Sequence, residues 1–489
     1  MKRAVLDFAE RTERADFVAV VDDEGEHTAL DLLHRAKELA DVIGPRGTVL
    51  VQADNSWRTV VAALAVGLTG GVLAAVNRHT TRAEFAAAFD DIRPDVVVAE
   101  PSAVDEWGVG GQAAEVLDGW TAVAAEERSD ADRWNGGVFI GLTSGSTGRA
   151  KGVVQSEEAL RYACERTIVI NRLAAGDAVA AIVPLSSTAA FCFGVYCSLL
   201  LCGPLVLTAK WDPPIVVRRL AEARARWTMC VPTMALQLAA VAEPRALSGV
   251  RSITVGGGPM DRAALARAET TLGTRILRVF GMSECLGHTS PLPDEPEEIR
   301  LGHDGRPFPG TELRAVSPEG AVLGPGEVGR AQVRGPSLFL GYTRDGRVEP
   351  PELTGDGFFP TGDLVMSDVD GLVTIMGREK DVIIRGGRNI DITEIERAIS
   401  GYARLDHSCV VPVRDDVLGE RVALLVVPRG DGPVELGEIT GFLRDAGLSK
   451  AKWPEFVYVV EALPQTRVGK LDRVRARELA GELHAKDLS

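Results

Sequence analysis

Short runs of valine, isoleucine, leucine and alanine alternate with helical patterns along the first three hundred residues, and this alternation restricts the fold most. The runs are apolar at every position, as in GTVLVQA, PDVVVAE, GVFIGLT and RSITVGG. Strands of this kind are buried on both faces, and amphipathic segments such as DPPIVVRRLAEARAR supply the covering helices. The alternation therefore predicts an α/β fold with layers of mostly parallel strands flanked by helices, and ligands bound where the strands end in loops.

The pattern changes twice after residue 300. Residues 300–376 contain short, alternating, turn-bounded segments, which predict a smaller β-rich subdomain. From about residue 380 a strand–helix–strand pattern indicates a compact α+β unit of roughly 110 residues. Because 489 residues are too many for a single core, we expect an N-terminal domain over 1–379, with the subdomain inside it, and a C-terminal domain over 380–489.

Composition excludes several function classes. The formal net charge of -15 argues against a nucleic-acid partner, because the chain has no basic excess to neutralise phosphates. Seven cysteines are scattered without a C-x-x-C pair, which favours reduced thiols. The first residues lack the apolar segment of a signal peptide. We therefore expect a cytoplasmic protein.

One uncharged stretch, from Ala178 to Ala209, is long enough to cross a bilayer. Pro184, the polar triplet that follows it and the Gly203-Pro204 pair interrupt this stretch. We interpret it as a buried strand, a loop, a buried helix over roughly 191–202 and a second buried strand. The sequence thus predicts no membrane partner.

A polar, glycine-rich segment, GLTSGSTGRAKG at 141–152, directly follows the apolar run GVFIGLT. Glycines allow backbone N–H groups to converge on one point, hydroxyls add donors, and Lys151 adds a positive charge. The segment is therefore expected to bind phosphates, although it is not a Walker A loop because Gly152 follows the lysine. The expected phosphate ligands are Thr143, Ser144, Gly145, Ser146, Thr147, Gly148 and Lys151.

Six motifs in order resemble those of the ANL superfamily of adenylate-forming enzymes, which includes acyl-CoA synthetases, adenylation domains and luciferases. They are TSGSTGRAKG, SITVGGGPM, VFGMSE, PTGDL, GREKDVIIRGGRNI and LPQTRVGKLDR, and they extend over nearly the whole chain. The resemblance implies that a carboxylate is joined to ATP to give an acyl-adenylate, which a thiol then attacks.

The resemblance also implies a set of nucleotide contacts. Glu284 would ligate Mg²⁺, an ion that prefers oxygen ligands, and Ser283 would contact the α-phosphate. Asp363 and Arg378 would hold the ribose. The adenine slot would be formed by backbone and an aromatic face, from Gly256, Gly257, Gly258, Phe280 and Gly281.

The C-terminal motifs carry the remaining roles that the resemblance implies. Lys470 would bridge the carboxylate and the α-phosphate, so that Lys470, Lys151 and Glu284 are the expected catalytic residues. The C-terminal domain would rotate about a hinge at Lys380 between the two half-reactions. Gly386 and Gly387 would leave room for the pantetheine arm of CoA.

The chain departs from the superfamily pattern at the acid site. PLSSTAAF has Ser187 where a histidine is common, and Ala190 where a glycine is common; Ala150 replaces the usual proline of the phosphate loop. Loss of the histidine could enlarge the acyl pocket, or it could weaken adenylation while thioester formation persists. The expected pocket is mainly apolar and contains Ser187, Phe191, Val195, Gly257, Gly281, Met282, Cys285 and His288.

The sequence most resembles CoA ligases for cyclic or medium-chain aliphatic acids. The expected function is an acid–thiol ligase that uses ATP, Mg²⁺ and CoA to activate an aliphatic, alicyclic or terpenoid-like acid. Three alternatives stay open: an enzyme specialised in one half-reaction, an adenylation enzyme that loads a carrier protein, and a non-catalytic acyl-nucleotide binding protein. A homodimer is also left open.

Overall fold

The protein folds as two compact units. The structure, a computed structural model, describes residues 1–125, 128–143, 151–257, 260–379, 381–386, 388–430, 432–466 and 470–487. Unit 1 contains Met1–Gly257, Leu265–Leu313 and Val333–Phe359. Unit 2 contains the described residues of 258–264, 314–332 and 360–489. The domain boundary expected at 379/380 stays a prediction.

Helices form where apolar residues recur at helical spacing behind a capping residue. In ALDLLHRAKELADVI, for example, the Thr28 side chain accepts a hydrogen bond from the Asp31 N–H and starts the helix. The helices are α1 (Lys2–Arg14), α2 (Ala29–Ile43), α3 (Trp57–Thr69), α4 (Arg82–Ile92), α5 (Pro101–Trp107), α6 (Glu157–Ile170), α7 (Thr188–Ala190), α8 (Cys197–Leu201), α9 (Pro213–Glu222), α10 (Pro232–Val241), α11 (Arg262–Leu272), α12 (Glu297–Gly302), α13 (Ile392–Ile399), α14 (Leu436–Asp445) and α15 (Arg473–Asp487).

Most strands coincide with the apolar runs of the sequence. They are β1 (Val18–Asp22), β2 (Gly25–Thr28), β3 (Thr48–Gln52), β4 (Val72–Val76), β5 (Val96–Ala99), β6 (Gln112–Val116), β7 (Trp120–Ala124), β8 (Gly137–Thr143), β9 (Lys151–Ser156), β10 (Val179–Ala181), β11 (Leu205–Leu207), β12 (Trp227–Cys230), β13 (Ser252–Gly256), β14 (Arg275–Met282), β15 (Cys285–Ser290), β16 (Arg306–Pro307), β17 (Glu312–Val316), β18 (Gly329–Arg334), β19 (Gly341–Arg344), β20 (Arg347–Glu349), β21 (Phe359–Ser367), β22 (Val373–Arg378), β23 (Val382–Arg385), β24 (Arg388–Asp391), β25 (Leu405–Asp415), β26 (Gly419–Pro428) and β27 (Phe456–Val459).

Two nine-stranded sheets organise unit 1. Their strand orders are β16-β15-β14-β13-β12-β10-β11-β1-β2 and β20-β19-β9-β8-β4-β3-β5-β7-β6. The pairs at the centre of each sheet are parallel and the pairs toward both edges are antiparallel. Every residue of β3 and β4 is buried, as expected for strands covered on both faces. The predicted α/β fold is confirmed.

The uncharged stretch from Ala178 to Ala209 folds as the sequence predicts, with one difference. Strand β10, a helical segment and strand β11 follow one another in the interior. The middle of the helical segment, Phe191–Tyr196, is a π-helix between α7 and α8, and all six of its residues are buried. Periodicity of apolar residues could not reveal this widened turn, because every position of the segment is apolar or small.

Unit 2 contains most of a small sheet and the whole of a sheet covered by helices. The order β17-β18-β21-β22 forms the small sheet, which is the β-rich region predicted after residue 300. The second sheet has the order β24-β23-β26-β25, with β27 beside β26. Residues alternate along β25, so Val410 faces the core under α13 and α14 while Val411 faces the core under α15.

A helix that crosses a membrane must be both long and apolar. Across the described ranges, no helix is both long and apolar enough to cross a bilayer.

Candidate active site

The hairpin of β8 and β9 carries the expected phosphate loop between its strands. Thr143 ends β8 and pairs with Lys151, the first residue of β9. The Thr143 hydroxyl donates to the Lys151 carbonyl, 3.3 Å away. The Lys151 side chain is exposed. Residues Ser144, Gly145, Ser146, Thr147 and Gly148, predicted to bind phosphate, lie outside the described residues.

The turn between β14 and β15 presents Glu284. Met282 pairs with Cys285, so Ser283 and Glu284 form the two-residue connection. Neighbouring segments hold both carbonyls of this turn. The buried Gln155 side chain donates through Nε2 to the Ser283 carbonyl at 2.7 Å, and the Phe339 N–H donates to the Glu284 carbonyl at 2.8 Å.

Tyr342 on β19 connects Glu284 with Lys151. Its hydroxyl donates to Glu284 Oε1 at 2.9 Å, and the Lys151 ammonium lies 4.9 Å from the centre of its ring. Burial raises the pKa of the Tyr342 phenol, and the Glu284 charge raises it further. The phenol therefore stays protonated and acts as a donor to the carboxylate.

The expected adenine slot lies at the ends of β13 and β14. A β-carbon on Gly256 would lie 3.0 Å from the Val279 side chain and carbonyl, and Gly257 has φ +81°. Both positions therefore favour glycine. A β-carbon on Gly281 would lie 2.9 Å from the Gly287 nitrogen. Gly258 lies outside the described residues.

The aromatic ring expected to stack on adenine, Phe280, is 8% exposed. It packs edge-on against His288, with ring centres 4.3 Å apart. In the described part of the chain His288 Nε2 has no hydrogen-bond partner, whereas Nδ1 lies 3.0 Å from the Cys285 carbonyl. Burial lowers the pKa of His288 to about 4, so the imidazole is neutral at physiological pH.

The other residues expected in the acyl pocket differ in burial. Phe191 and Val195 are fully buried in the π-helix, and Phe191 stacks on Phe139 of β8 at 4.0 Å. Ser187 caps α7, because its hydroxyl accepts a hydrogen bond from the Ala190 N–H at 3.2 Å. Met282 is partly buried, and Cys285 lies fully buried with its Sγ 3.4 Å from the Ser337 hydroxyl.

Unit 2 contains its own charged cluster. Asp363 on β21 pairs with Arg378 on β22, and the Arg378 Nε–H donates to Asp363 Oδ1 at 3.0 Å. Asp363 is only 4% exposed. Burial raises the pKa of its carboxyl, and the Arg378 charge only partly offsets this rise.

Lys470 belongs to unit 2 and lies in a turn. The Thr466 N–H donates to the Lys470 carbonyl at 2.6 Å, and the Lys470 N–H donates to the Thr466 hydroxyl at 3.2 Å. The pKa of Lys470 is lowered, first because surrounding protein displaces water and then because Arg378 adds a like charge. The residue keeps exposed surface, so this desolvation is partial.

The expected hinge and CoA tunnel are described only in part. Gly386 lies in the hairpin between β23 and β24 with φ +56°, and its N–H donates to the Leu418 carbonyl at 2.8 Å. Lys380 and Gly387 lie outside the described residues. Their expected roles stay predictions.

Comparison with known families identifies the family to which the chain belongs. The AMP-binding enzyme family matches residues 7–343, and the AMP-binding enzyme C-terminal domain matches residues 394–470. The chain belongs to the AMP-binding enzyme family. The resemblance to the ANL superfamily is thereby confirmed.

Relatives of this AMP-binding enzyme include a protein named for an aromatic acid, salicylate. It is 37% identical to the pyochelin synthase PchD of Pseudomonas aeruginosa over 299 residues, which are 60% of this chain and 54% of that protein. It is 29% identical to a salicylyl-CoA synthase / salicylate adenylyltransferase of Streptomyces sp over 505 residues, 95% of this chain and 91% of that protein. ATP-bound MatB from Rhodopseudomonas palustris superimposes with a TM-score of 0.84 at 27% identity, over 98% of this chain and 99% of MatB.

Two residues of the site of this AMP-binding enzyme were missed by sequence reasoning. Gln155 is a single amide in the otherwise apolar run GVVQ, a signal that could have identified it. Tyr342 follows Gly341 in an alternating strand, but nothing local indicates that it contacts Lys151 and Glu284, because those contacts join distant parts of the chain.

Proposed function

We propose that this AMP-binding enzyme activates a hydrophobic carboxylic acid with ATP and then transfers the acyl group to the thiol of CoA. The acid carboxylate would attack the α-phosphorus, so that an acyl-adenylate forms and pyrophosphate leaves. The thiol would then attack the acyl carbon, and AMP would leave. Glu284 would hold a magnesium ion together with the phosphate oxygens, and the ion would offset their negative charge.

The arrangement of Lys151, Tyr342 and Glu284 is the observation that carries this proposal. Tyr342 contacts a cation and a carboxylate, and the cation, Lys151, directly follows in sequence a segment rich in glycine and hydroxyls. Such a site can hold phosphates with the ammonium and a divalent cation with the carboxylate. The two reactants are both anions, so positive charge and positioning are the main requirements of this reaction.

The residues fit a magnesium ion that is held mainly by its substrate. Within the described ranges, no three His, Cys, Asp or Glu side chains are grouped as metal ligands. Glu284 has one carboxylate oxygen bound to Tyr342, which leaves the other for a metal. One carboxylate with phosphate oxygens and water is a common magnesium environment.

The cluster in unit 2 supports the nucleotide part of the proposal. The Asp363 carboxylate is an acceptor suited to the ribose hydroxyls, and Arg378 fixes its orientation from one side. Lys470 would add positive charge where the carboxylate meets the α-phosphate. Its lowered pKa means that Lys470 loses its proton more readily than an ordinary lysine. Among the residues described it has no anionic partner, so its charge is available for a substrate anion.

The comparisons widen the choice of acid. The sequence favours aliphatic or alicyclic acids, whereas the Streptomyces relative above is named for an aromatic acid, salicylate. Both groups are hydrophobic carboxylic acids, and the apolar surroundings of Cys285 and His288 suit either. The dual name of the Streptomyces relative supports CoA as the acceptor, with adenylate formation as a separable step.

Exchange of labelled pyrophosphate into ATP tests the proposal. The purified chain is supplied with aliphatic, alicyclic and aromatic acids, and thioester formation is then measured with CoA. Acid-dependent exchange together with a thioester supports it. Exchange without a thioester favours a carrier protein as acceptor, and turnover of a supplied acyl-adenylate without exchange favours an enzyme of one half-reaction.

A matched pair of variants connects the activity to the site. Glu284→Gln is expected to lower exchange strongly and to weaken the response to magnesium. Glu352→Gln changes an exposed glutamate of the same unit and is expected to behave as wild type. Equal activity of the two variants would contradict the role assigned to Glu284.

A further inference from the structure

We propose that Tyr342 is a positioning residue of the nucleotide site, which holds Lys151 and Glu284 apart and orients both. This inference rests on the proposed function, because it assigns a phosphate to Lys151 and a divalent cation to Glu284.

Strand register places Tyr342 and Lys151 on one face of the sheet. Tyr342 on β19 lies opposite Val153 on β9 in an antiparallel pair. Lys151 is two residues before Val153, and residues two apart on a strand point to the same face. The two side chains are thus diagonal neighbours, a distance that an aromatic ring and a lysine can bridge. The observed 4.9 Å between the ammonium and the ring centre is a cation–π contact.

The opposite end of the same side chain contacts Glu284. The hydroxyl donates to Oε1 at 2.9 Å and leaves Oε2 available. Three residues earlier, the Phe339 N–H donates to the Glu284 carbonyl. One short segment therefore fixes both the main chain and the carboxylate of Glu284. Hydrogen bonds of this kind orient the ligands of metal ions.

The ring also separates two opposite charges. A direct ion pair between Lys151 and Glu284 would neutralise both charges. That pair would have to break before either side chain could bind a ligand. In the described part of the chain no ion pair joins Lys151 to Glu284, although both contact the same tyrosine. An uncharged spacer keeps the ammonium available for phosphate and the carboxylate available for a cation.

Packing alone does not account for these contacts. Tyr342 lies 4.9 Å from the Phe339 ring in a small apolar cluster, and a phenylalanine would fill that role. The hydroxyl instead meets the carboxylate predicted to bind metal, which a packing role does not require.

Two substitutions separate the two contacts. Tyr342→Phe keeps the ring beneath Lys151 but removes the hydrogen bond to Glu284, whereas Tyr342→Leu removes both. Tyr402→Phe is the matched control, because the Tyr402 hydroxyl also donates to a glutamate, Glu438 in unit 2, at 3.3 Å. Thermal unfolding of every variant reports any general loss of structure.

The measurements are ATP binding by calorimetry across a magnesium titration, without acid, and pyrophosphate exchange with the best acid. Tyr342→Phe should raise the magnesium concentration for half-maximal ATP binding about tenfold, the lower end of effects seen when a ligand-orienting group is lost. The ATP affinity at saturating magnesium should stay close to wild type. Tyr342→Leu should in addition weaken ATP binding at saturating magnesium.

A magnesium midpoint for Tyr342→Phe within twofold of wild type, or equal to that of Tyr402→Phe, would overturn the proposal. So would a loss of binding that merely follows a loss of folded protein. If wild type binds ATP but none of the acids supports pyrophosphate exchange, the proposed function fails. The calorimetric comparison still decides the role of Tyr342 in that case. If wild type binds no ATP at any magnesium concentration, both fail.

Discussion

The two charged clusters pair a carboxylate with a cation in different ways. In unit 2, Arg378 donates directly to Asp363, which is almost fully buried. In unit 1, Tyr342 stands between Lys151 and the partly exposed Glu284. Direct pairing of a buried carboxylate fixes geometry but makes either partner costly to remove. Mediated pairing leaves both charges available, as a site for exchanging ligands requires.

The largest effect is expected for Lys470, which has neither a direct nor a mediated carboxylate partner among the described residues. Lys470→Ala removes a positive charge from the adenylation step, and losing one such group costs on the order of 10²–10³ in rate. Pyrophosphate exchange should fall by that factor with little change in thermal stability, because the residue is exposed. Lys450→Ala, at an exposed lysine of the same unit, is the control. Equal losses in exchange and in turnover of a supplied acyl-adenylate would assign Lys470 a different role.

Breaking the direct pair should affect both stability and nucleotide binding. Arg378→Gln leaves Asp363 buried without its partner and should lower the free energy of unfolding by about 1–3 kcal/mol. It should also weaken ATP binding about tenfold, roughly 1.4 kcal/mol. The double variant with Asp363→Asn should recover stability but not ATP affinity. A double-mutant cycle with no coupling between the positions would show that the pair contributes nothing.

Acid should change the stability of the two units with opposite signs. His288 in unit 1 has a pKa of about 4, below its ordinary 6.5, so the unfolded chain binds more protons between these values. Its contribution to stability is complete above pH 6.5 and is lost as pH falls toward 4, by up to about 1.4 kcal/mol per pH unit. Asp363 has a raised pKa, so its contribution instead increases as pH falls from that value toward 3.8.

Hydrogen exchange measured separately for peptides of each unit can resolve these slopes. His288→Asn should reduce the loss of stability that unit 1 shows as pH falls from 6.5 to 4. Asp363→Asn should reduce the gain of stability that unit 2 shows as pH falls. The comparison uses only the change of unfolding free energy with pH, since either substitution also changes stability at every pH. Identical slopes in wild type and His288→Asn would mean that His288 does not titrate as its burial implies.

The smallest effect should come from Gln155, which supports the unit 1 cluster through the main chain. Gln155→Leu leaves the Ser283 carbonyl unpaired, while it also removes an amide oxygen that has no partner among the described residues. The net loss of unfolding free energy should be about 1 kcal/mol, with a modest rise in the KM for ATP. Gln112→Leu on the exposed edge strand β6 should leave the KM unchanged. A KM for Gln155→Leu equal to that of wild type would separate the Ser283 turn from nucleotide binding.

Local pattern accounts for the centre of the fold and not for its edges. The runs that became β3, β4, β5 and β8 are apolar throughout, so hydrophobicity alone located them. Strand β6 has the sequence QAAEV and is exposed at four of five positions, and its pairing with β7 depends on tertiary context rather than on apolar content.

The same distinction applies to the candidate site. Lys151, Glu284, Asp363, Arg378 and Lys470 were found because each belongs to a short motif with a recognisable spacing. Their mutual contacts were not found, because a motif states which residue is present but not which distant side chain it touches. Tyr342 shows this most clearly, since its role depends on β19 pairing with β9.

The π-helix at Phe191–Tyr196 has a consequence for how such proteins diversify. A π-turn accommodates one residue more than the corresponding α-turn, so deleting a residue there would convert it without moving the strands on either side. Only the side chains within that turn would change the direction in which they point. A single-codon deletion could thus exchange the side chains lining the interior in one evolutionary step, where point substitutions would need several.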